Sequence, residues 1–121
     1  MVYIVDDDES VRRAIARFVR AAGMEAIAFA SAGEFLAQPN LDQDGCLVAD
    51  VKMPGVNGVE LQRELKARGI QLPVILLTAL DTNEVREEAK RSGAVDYLRK
   101  PVDGQALIDA ILWALSGKQS P

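Results

Sequence analysis

Four short apolar runs in this chain of 121 residues end on side chains that could do chemistry. Val2-Tyr3-Ile4-Val5 runs into Asp6-Asp7-Asp8-Glu9, and Leu47-Val48-Ala49 delivers Asp50. Val74-Ile75-Leu76-Leu77 delivers Thr78, and the run from Val95 to Arg99 delivers Lys100, followed by Pro101. A carboxylate at the end of a buried strand costs solvation free energy unless something pairs with it. Taken singly, Asp50 reads as a turn cap, Thr78 as an ordinary strand-end hydroxyl and Lys100 as a surface lysine. Together they read as one site. Asp6, Asp7 and Asp50 would repel one another unless they share a cation. Hard oxygen ligands with few protein contacts suit Mg²⁺, which keeps waters and bridges carboxylate to phosphate. With that ion, one carboxylate can act as a nucleophile toward phosphorus. Lys100 and the Thr78 hydroxyl would then neutralise and hold the phosphoryl oxygens. A calcium-loop reading of Asp6, Asp8 and Ser10 fails, because Val11 stands at the turn-glycine place and Arg17 at the place of the bidentate Glu.

Such a site needs its four strand ends on one edge of one sheet. The spacing predicts a first helix over residues 9–22, with Val11, Ile15, Phe18 and Ala22 on its inner face and Gly23 as terminator. A second strand is expected over Glu25–Phe29. Ser31 then reads as an N-cap with Glu34 as its capping-box partner, for a short helix that buries Phe35 and Leu36 and ends before Pro39. The third strand, Gly45 to Ala49, is stopped after Asp50 by Pro54 and Gly55. Asn57 caps a third helix to Arg68 with Leu61 and Leu65 inward. The run from Pro73 to Leu77 suits an interior strand. A fourth helix, Thr82 to Ser92, has only Val85 and Ala89 as its core face, and Gly93 closes it. After the fifth strand, Asp103 starts a last helix with Leu107, Ile108, Ile111 and Leu115 on one side. Trp113, with Ala106 and Ala110, makes a second apolar stripe that faces either the core or a partner. Five alternations of strand and helix imply a parallel sheet covered on both faces, with ligands outside the carboxyl ends of the strands.

Composition narrows the function classes. Hydrophobic residues make up 49% and charged residues 26%, enough apolar surface for one core. The formal net charge is −4, and no basic patch offers to neutralise phosphates, so the segment is not expected to bind nucleic acid directly. There is no histidine, which excludes Ser-His, Cys-His and His-zinc chemistry within the chain. The single Cys46 lies in an apolar strand and reads as a buried thiol. No signal-peptide layout and no run long enough to span a bilayer is present, so a cytoplasmic protein without membrane contact is expected. Residues 1–116 read as one domain and 117–121 as a tail or the start of a linker.

Set side by side, these pieces resemble the receiver domain of two-component response regulators. The matching stretches are Val5-Asp6-Asp7-Asp8-Glu9, Asp50-Val51-Lys52-Met53-Pro54-Gly55-Val56-Asn57-Gly58, Leu77-Thr78-Ala79 and Gly93-Ala94-Val95-Asp96-Tyr97-Leu98-Arg99-Lys100-Pro101. The last is most similar to receivers of the nitrogen-fixation regulator type, which precede a helix-turn-helix output domain. The resemblance implies a flavodoxin-like (βα)5 fold with strand order 2-1-3-4-5. It implies that Asp50 accepts a phosphoryl group from a sensor histidine kinase. Asp7 would ligate Mg²⁺ directly, with Asp6 helping, Asp50 sharing the ion and the Lys52 carbonyl completing the set. Thr78 and Lys100 would bind phosphoryl oxygens, Lys100-Pro101 would be a cis peptide, and Tyr97 would be an aromatic switch following Thr78. It also implies a signalling switch, catalysing only its own phosphotransfer and dephosphorylation. Its output surface would be the fourth helix, fifth strand and last helix, used for a homodimer or for an output partner or C-terminal domain.

Rival classes fit less well. An aspartyl-phosphate phosphatase would want an acid two residues after its nucleophile, where this chain has Lys52. A flavodoxin-like cofactor carrier would want a phosphate loop after strand one, where Asp6 to Glu9 repel phosphate. A receiver-like interaction module that works without phosphorylation stands as the alternative.

Overall fold

The apolar runs become strands because both of their faces can be covered. The computed structural model describes residues 1–41, 44–52, 57–79 and 82–116. Its elements are β1 (Val2–Val5), α1 (Glu9–Ala21), β2 (Ala26–Phe29), α2 (Ala32–Leu36), β3 (Cys46–Asp50), α3 (Gly58–Ala67), β4 (Val74–Thr78), α4 (Asn83–Ser92), β5 (Asp96–Arg99) and α5 (Gly104–Leu115). The strands pair in parallel in the order β2-β1-β3-β4-β5. From β1 the chain first moves to one side and then returns to the other, so strand order reverses between β1 and β3. That crevice is where a doubly wound sheet binds ligands, and Asp6 and Asp50 emerge beside it.

Alternation of side chains along each strand sorts the core into two halves. Val2, Ile4, Cys46, Val48, Ile75 and Leu77 pack with α1 and α5. Tyr3, Val5, Leu47, Ala49, Val74 and Leu76 pack with the side of α2, α3 and α4, where Tyr3, Phe29 and Phe35 form an aromatic cluster. All residues of β1, β3 and β4 are buried, whereas β2 and β5 are partly open edges. Each fully buried Val, Leu or Ile contributes roughly 1.5–3 kcal/mol, so the strand ends are set by the core and not by the polar residues that follow.

Local capping agrees with the sequence patterns. Asn57 and Glu60 form a complete capping box, Thr82 and Asp103 cap α4 and α5, and Ser31 accepts the Glu34 N–H at 3.2 Å. Gly23, Gly69 and Gly93 have positive φ at helix ends. The expected inner face of α1 is shifted. Ile15, Ala16 and Val19 are buried, Val11 and Phe18 are only partly covered, and Ala22 is exposed at the C-cap. Ala22 is the C-cap and so falls beyond the helix face that packs on the sheet, while Gly104 at the start of α5 lies against the Phe18 ring. Trp113 is 50% exposed and is therefore not core, whereas Ala110 is buried. Pro54 and Gly55, expected to stop the third strand, and the tail 117–121 lie outside the described residues.

The start of α3 is wedged under the end of β3. The Gly58 N–H donates to the Val51 carbonyl at 3.1 Å. A Cβ on Gly58 would stand 2.5 Å from the Asp50 carbonyl oxygen and 2.9 Å from Leu76 Cδ2. Gly58→Ala must therefore displace backbone at Asp50, and is expected to lower stability by about 1–3 kcal/mol in urea unfolding. Gly33→Ala, whose Cβ would meet only Ser31 Oγ at 3.8 Å, is the control expected to be neutral or stabilising. Equal stability of the two variants would show that Gly58 is not a steric requirement.

Candidate functional site

β1 and β3 carry their carboxylates out of the sheet on the same face. Asp6 and Asp50 have the strand parity of Ile4 and Val48, and Lys100 has that of Leu98, all toward the α1 and α5 half. The Asp6 carboxylate is fully buried at 0% exposure, and Asp50 is 6% exposed. Lys100 Nζ reaches between them, 2.7 Å from Asp6 Oδ2 and 2.8 Å from Asp50 Oδ2. With Asp50 it makes a hydrogen bond. With Asp6 it makes a buried ion pair. Asp6 Oδ1 accepts the Asp8 N–H at 2.9 Å, and Asp50 Oδ1 accepts the Lys52 N–H at 3.1 Å.

These surroundings move the titrations in readable directions. Burial pushes the Asp50 carboxyl up from the usual range, against the Lys100 hydrogen bond and charge, which pull it down. For Lys100, burial pulls the ammonium down, but its hydrogen bonds to Asp50 and Asp6 and their charges outweigh it, and the net shift is upward. The lysine thus stays a cation at neutral pH. Burial holds the Cys46 thiol at about 12, which leaves it inert.

The turn after β1 presents Asp7 to solvent. Asp8 caps α1, with Oδ1 accepting from the Ser10 N–H, the Ser10 hydroxyl and the Val11 N–H at 2.9, 2.7 and 3.3 Å, and the Ser10 and Val11 bonds lower its pKa. It is consumed as a cap and has no oxygen to spare for the site from Oδ1. Asp7 is exposed, and no hydrogen bond or ion pair among the described residues engages its side chain. Carboxylate oxygens of Asp6, Asp7 and Asp50 lie within 4.8 Å of one another. An all-oxygen donor set with one ligand open to solvent fits a hard divalent cation such as Mg²⁺.

Thr78 ends β4 at 2% exposure, and its carbonyl accepts the Lys100 N–H at 2.7 Å, tying the β4 end to the lysine. Its strand parity is that of Leu76, toward α3 and α4, and opposite to that of Asp50. Tyr97, paired with Leu76, shares that half, is partly buried, and lines a groove with Arg86, Ala89 and Lys90 of α4. Thr78 and Tyr97 therefore stand one behind the other on the α4 side of the sheet. The Lys100-Pro101 peptide is cis.

Sequence reasoning did not single out Arg12. Its Nη1 donates to the Asp6 carbonyl at 2.7 Å. A signal existed, since Arg12 stands four residues after Asp8 and so one helical turn above the acidic turn.

Comparison with known proteins agrees with this fold. The family model described as response regulator receiver domain matches residues 2–112. Nodulation protein W of Bradyrhizobium diazoefficiens is 40% identical over 114 residues, covering 94% of this chain and 50% of the relative. The transcriptional regulatory protein FixJ of Azorhizobium caulinodans is 41% identical over 111 residues, covering 91% and 52%. The chain thus spans about half the length of the curated relatives it matches. Among solved structures, the one described as FixJ-N superposes with a TM-score of 0.88 at 38% identity, covering 96% of this chain and 93% of that one. The response regulator StyR superposes with a TM-score of 0.87 at 41% identity, covering 95% and 58%. No helix among the described residues is long and apolar enough to cross a membrane. With a family model over nearly its whole length and relatives near 40% identity, the chain belongs to the response regulator receiver domain family.

Proposed function

We propose that residues 1–116 form a phosphorylation-activated switch in which Asp50 takes a phosphoryl group from the phosphohistidine of a sensor histidine kinase. The observation that carries this reading is the meeting of Asp50 with Lys100 at 2.8 Å beside Asp6 and Asp7. In the transfer, an Asp50 carboxylate oxygen bonds to phosphorus as the phosphorus–nitrogen bond breaks. The departing imidazole keeps the electron pair, and the product is an acyl phosphate. Lys100 turns from the carboxylate to a phosphoryl oxygen, and the Thr78 hydroxyl holds another. Asp6, Asp7, Asp50 and the Lys52 carbonyl would hold Mg²⁺, which when bound supplies positive charge against the transferring group.

The parity of the strands supports a route for the switch. Thr78 drawn toward a phosphoryl group on Asp50 vacates space on the α4 side, and Tyr97 turns into it. α4 buries only Ala89 and Ser92, so it is the weakly anchored element that such a change can move. The α4, β5 and α5 surface then serves a homodimer, or an output partner or C-terminal output domain. FixJ is a transcriptional regulatory protein, and a net charge of −4 makes any DNA contact the task of residues outside this segment.

Incubation with acetyl phosphate should add one phosphoryl group to the intact mass, only with Mg²⁺ present, and not in Asp50→Asn. No gain under any condition would favour an interaction module that works without phosphate. Hydrogen exchange should change in α4 and β5 on phosphorylation. Unaltered exchange there, with the phosphoryl group in place, would remove the proposed output surface.

A further inference from the structure

Arg12 is bonded to the acidic turn twice, once through its backbone and once through its side chain. Its backbone N–H donates to the Asp8 carbonyl at 3.0 Å, as the first bond of α1. Its guanidinium Nη1 reaches back to the Asp6 carbonyl at 2.7 Å, half-buried. The Asp6 carbonyl belongs to the peptide unit that leads into Asp7, the carboxylate that the turn leaves open. Asp6 is held besides by its own side chain on the Asp8 N–H and by Lys100. Among the described residues the Asp7 side chain has no such anchor, so its position relative to Asp6 is set by the peptide units on either side of it: the Asp8 N–H on Asp6 Oδ1 holds the one that follows, and the Arg12 guanidinium holds the one that precedes.

We propose that Arg12 is a positioning residue for the divalent cation: by holding the Asp6–Asp7 peptide unit it sets the spacing of the Asp6 and Asp7 carboxylates and so the affinity for Mg²⁺. This rests on the reading of Asp6, Asp7 and Asp50 as the cation site. Two other roles for Arg12 make different predictions. If its charge dominated, a guanidinium beside a cation site would weaken Mg²⁺ binding, and its removal would tighten it. If it served stability alone, its removal would lower the unfolding midpoint without altering the affinity of the folded chain.

The test is a calorimetric titration of the native chain, Arg12→Met, Arg12→Gln and Arg12→Lys with Mg²⁺, alongside thermal unfolding of each in EDTA. Arg12→Met keeps the apolar stem and removes the grip, and should weaken Mg²⁺ binding about tenfold, the low end for loss of a partner that orients metal ligands. Arg12→Gln, whose amide falls short of the carbonyl, should do the same and carries the test if the Met variant does not fold. Arg12→Lys retains a long donor and should lie closer to the native affinity than either. Unchanged or tighter binding in the Met and Gln variants would overturn the role of Arg12 while leaving the cation site intact. Failure of the native chain itself to bind Mg²⁺ would overturn the cation site, and this inference with it.

Discussion

The ammonium of Lys100 between Asp6 and Asp50 is the contact on which the site depends. Two carboxylates, one wholly buried and one nearly so, emerge at the sheet's switch point with like charge. Desolvation of each ion costs several kcal/mol, and breaking a buried pair by removing one partner typically costs about 3–5 kcal/mol. The lysine offsets that cost, and it comes from β5, two strands away from β3. It can reach because β4 lies between, its Thr78 carbonyl holding the Lys100 N–H. The ends of β1, β3, β4 and β5 are thus joined through one side chain and its own peptide. Lys100 thereby pairs with two of the three clustered carboxylates, and Asp7 is the third.

The same arrangement explains how a local event could travel. A lysine held by two carboxylates is held by charge, and a group of higher charge on Asp50 competes for it directly. The two faces of the sheet divide the work: Asp6, Asp50 and Lys100 share the α1 and α5 half, while Thr78 and Tyr97 share the α4 half. Thr78 sits at the boundary, since its backbone is bonded to Lys100 and its side chain belongs to the other side. α4 itself is held lightly. Lys66 of α3 donates to the Ser92 carbonyl at its C-terminus at 3.1 Å, and Ala89 is its single fully packed apolar anchor.

Much of this was legible in the chain. Alternating runs and caps foretold every element, because strands buried on both faces have an unmistakable apolar signature and Asn57, Thr82 and Asp103 are strong caps. The strand order came from family resemblance, since short connections alone do not say on which side a strand is added. The inner face of α1 was misplaced at Ala22, because which residues of a helix its neighbours cover is a tertiary matter that leaves no mark in helical periodicity. Asp6, Asp7, Asp50 and Lys100 were found as strand ends, but the pairing of Lys100 with both acids was not, as it spans 50 residues to Asp50. Arg12 was missed for a related reason: its partner is a backbone carbonyl, and backbone acceptors are invisible to side-chain patterns.

The central claim is that Asp50 carries the phosphoryl group as an acyl phosphate, and it is tested most directly by where the group sits. Borohydride reduction of the phosphorylated chain converts an aspartyl phosphate to homoserine, which peptide mapping locates by mass. Homoserine at residue 50 alone is the result expected from its place beside Lys100, Asp6 and Asp7. Homoserine at Asp6, Asp7 or Asp8, or a phosphoryl group that resists reduction on a hydroxyl, would contradict it.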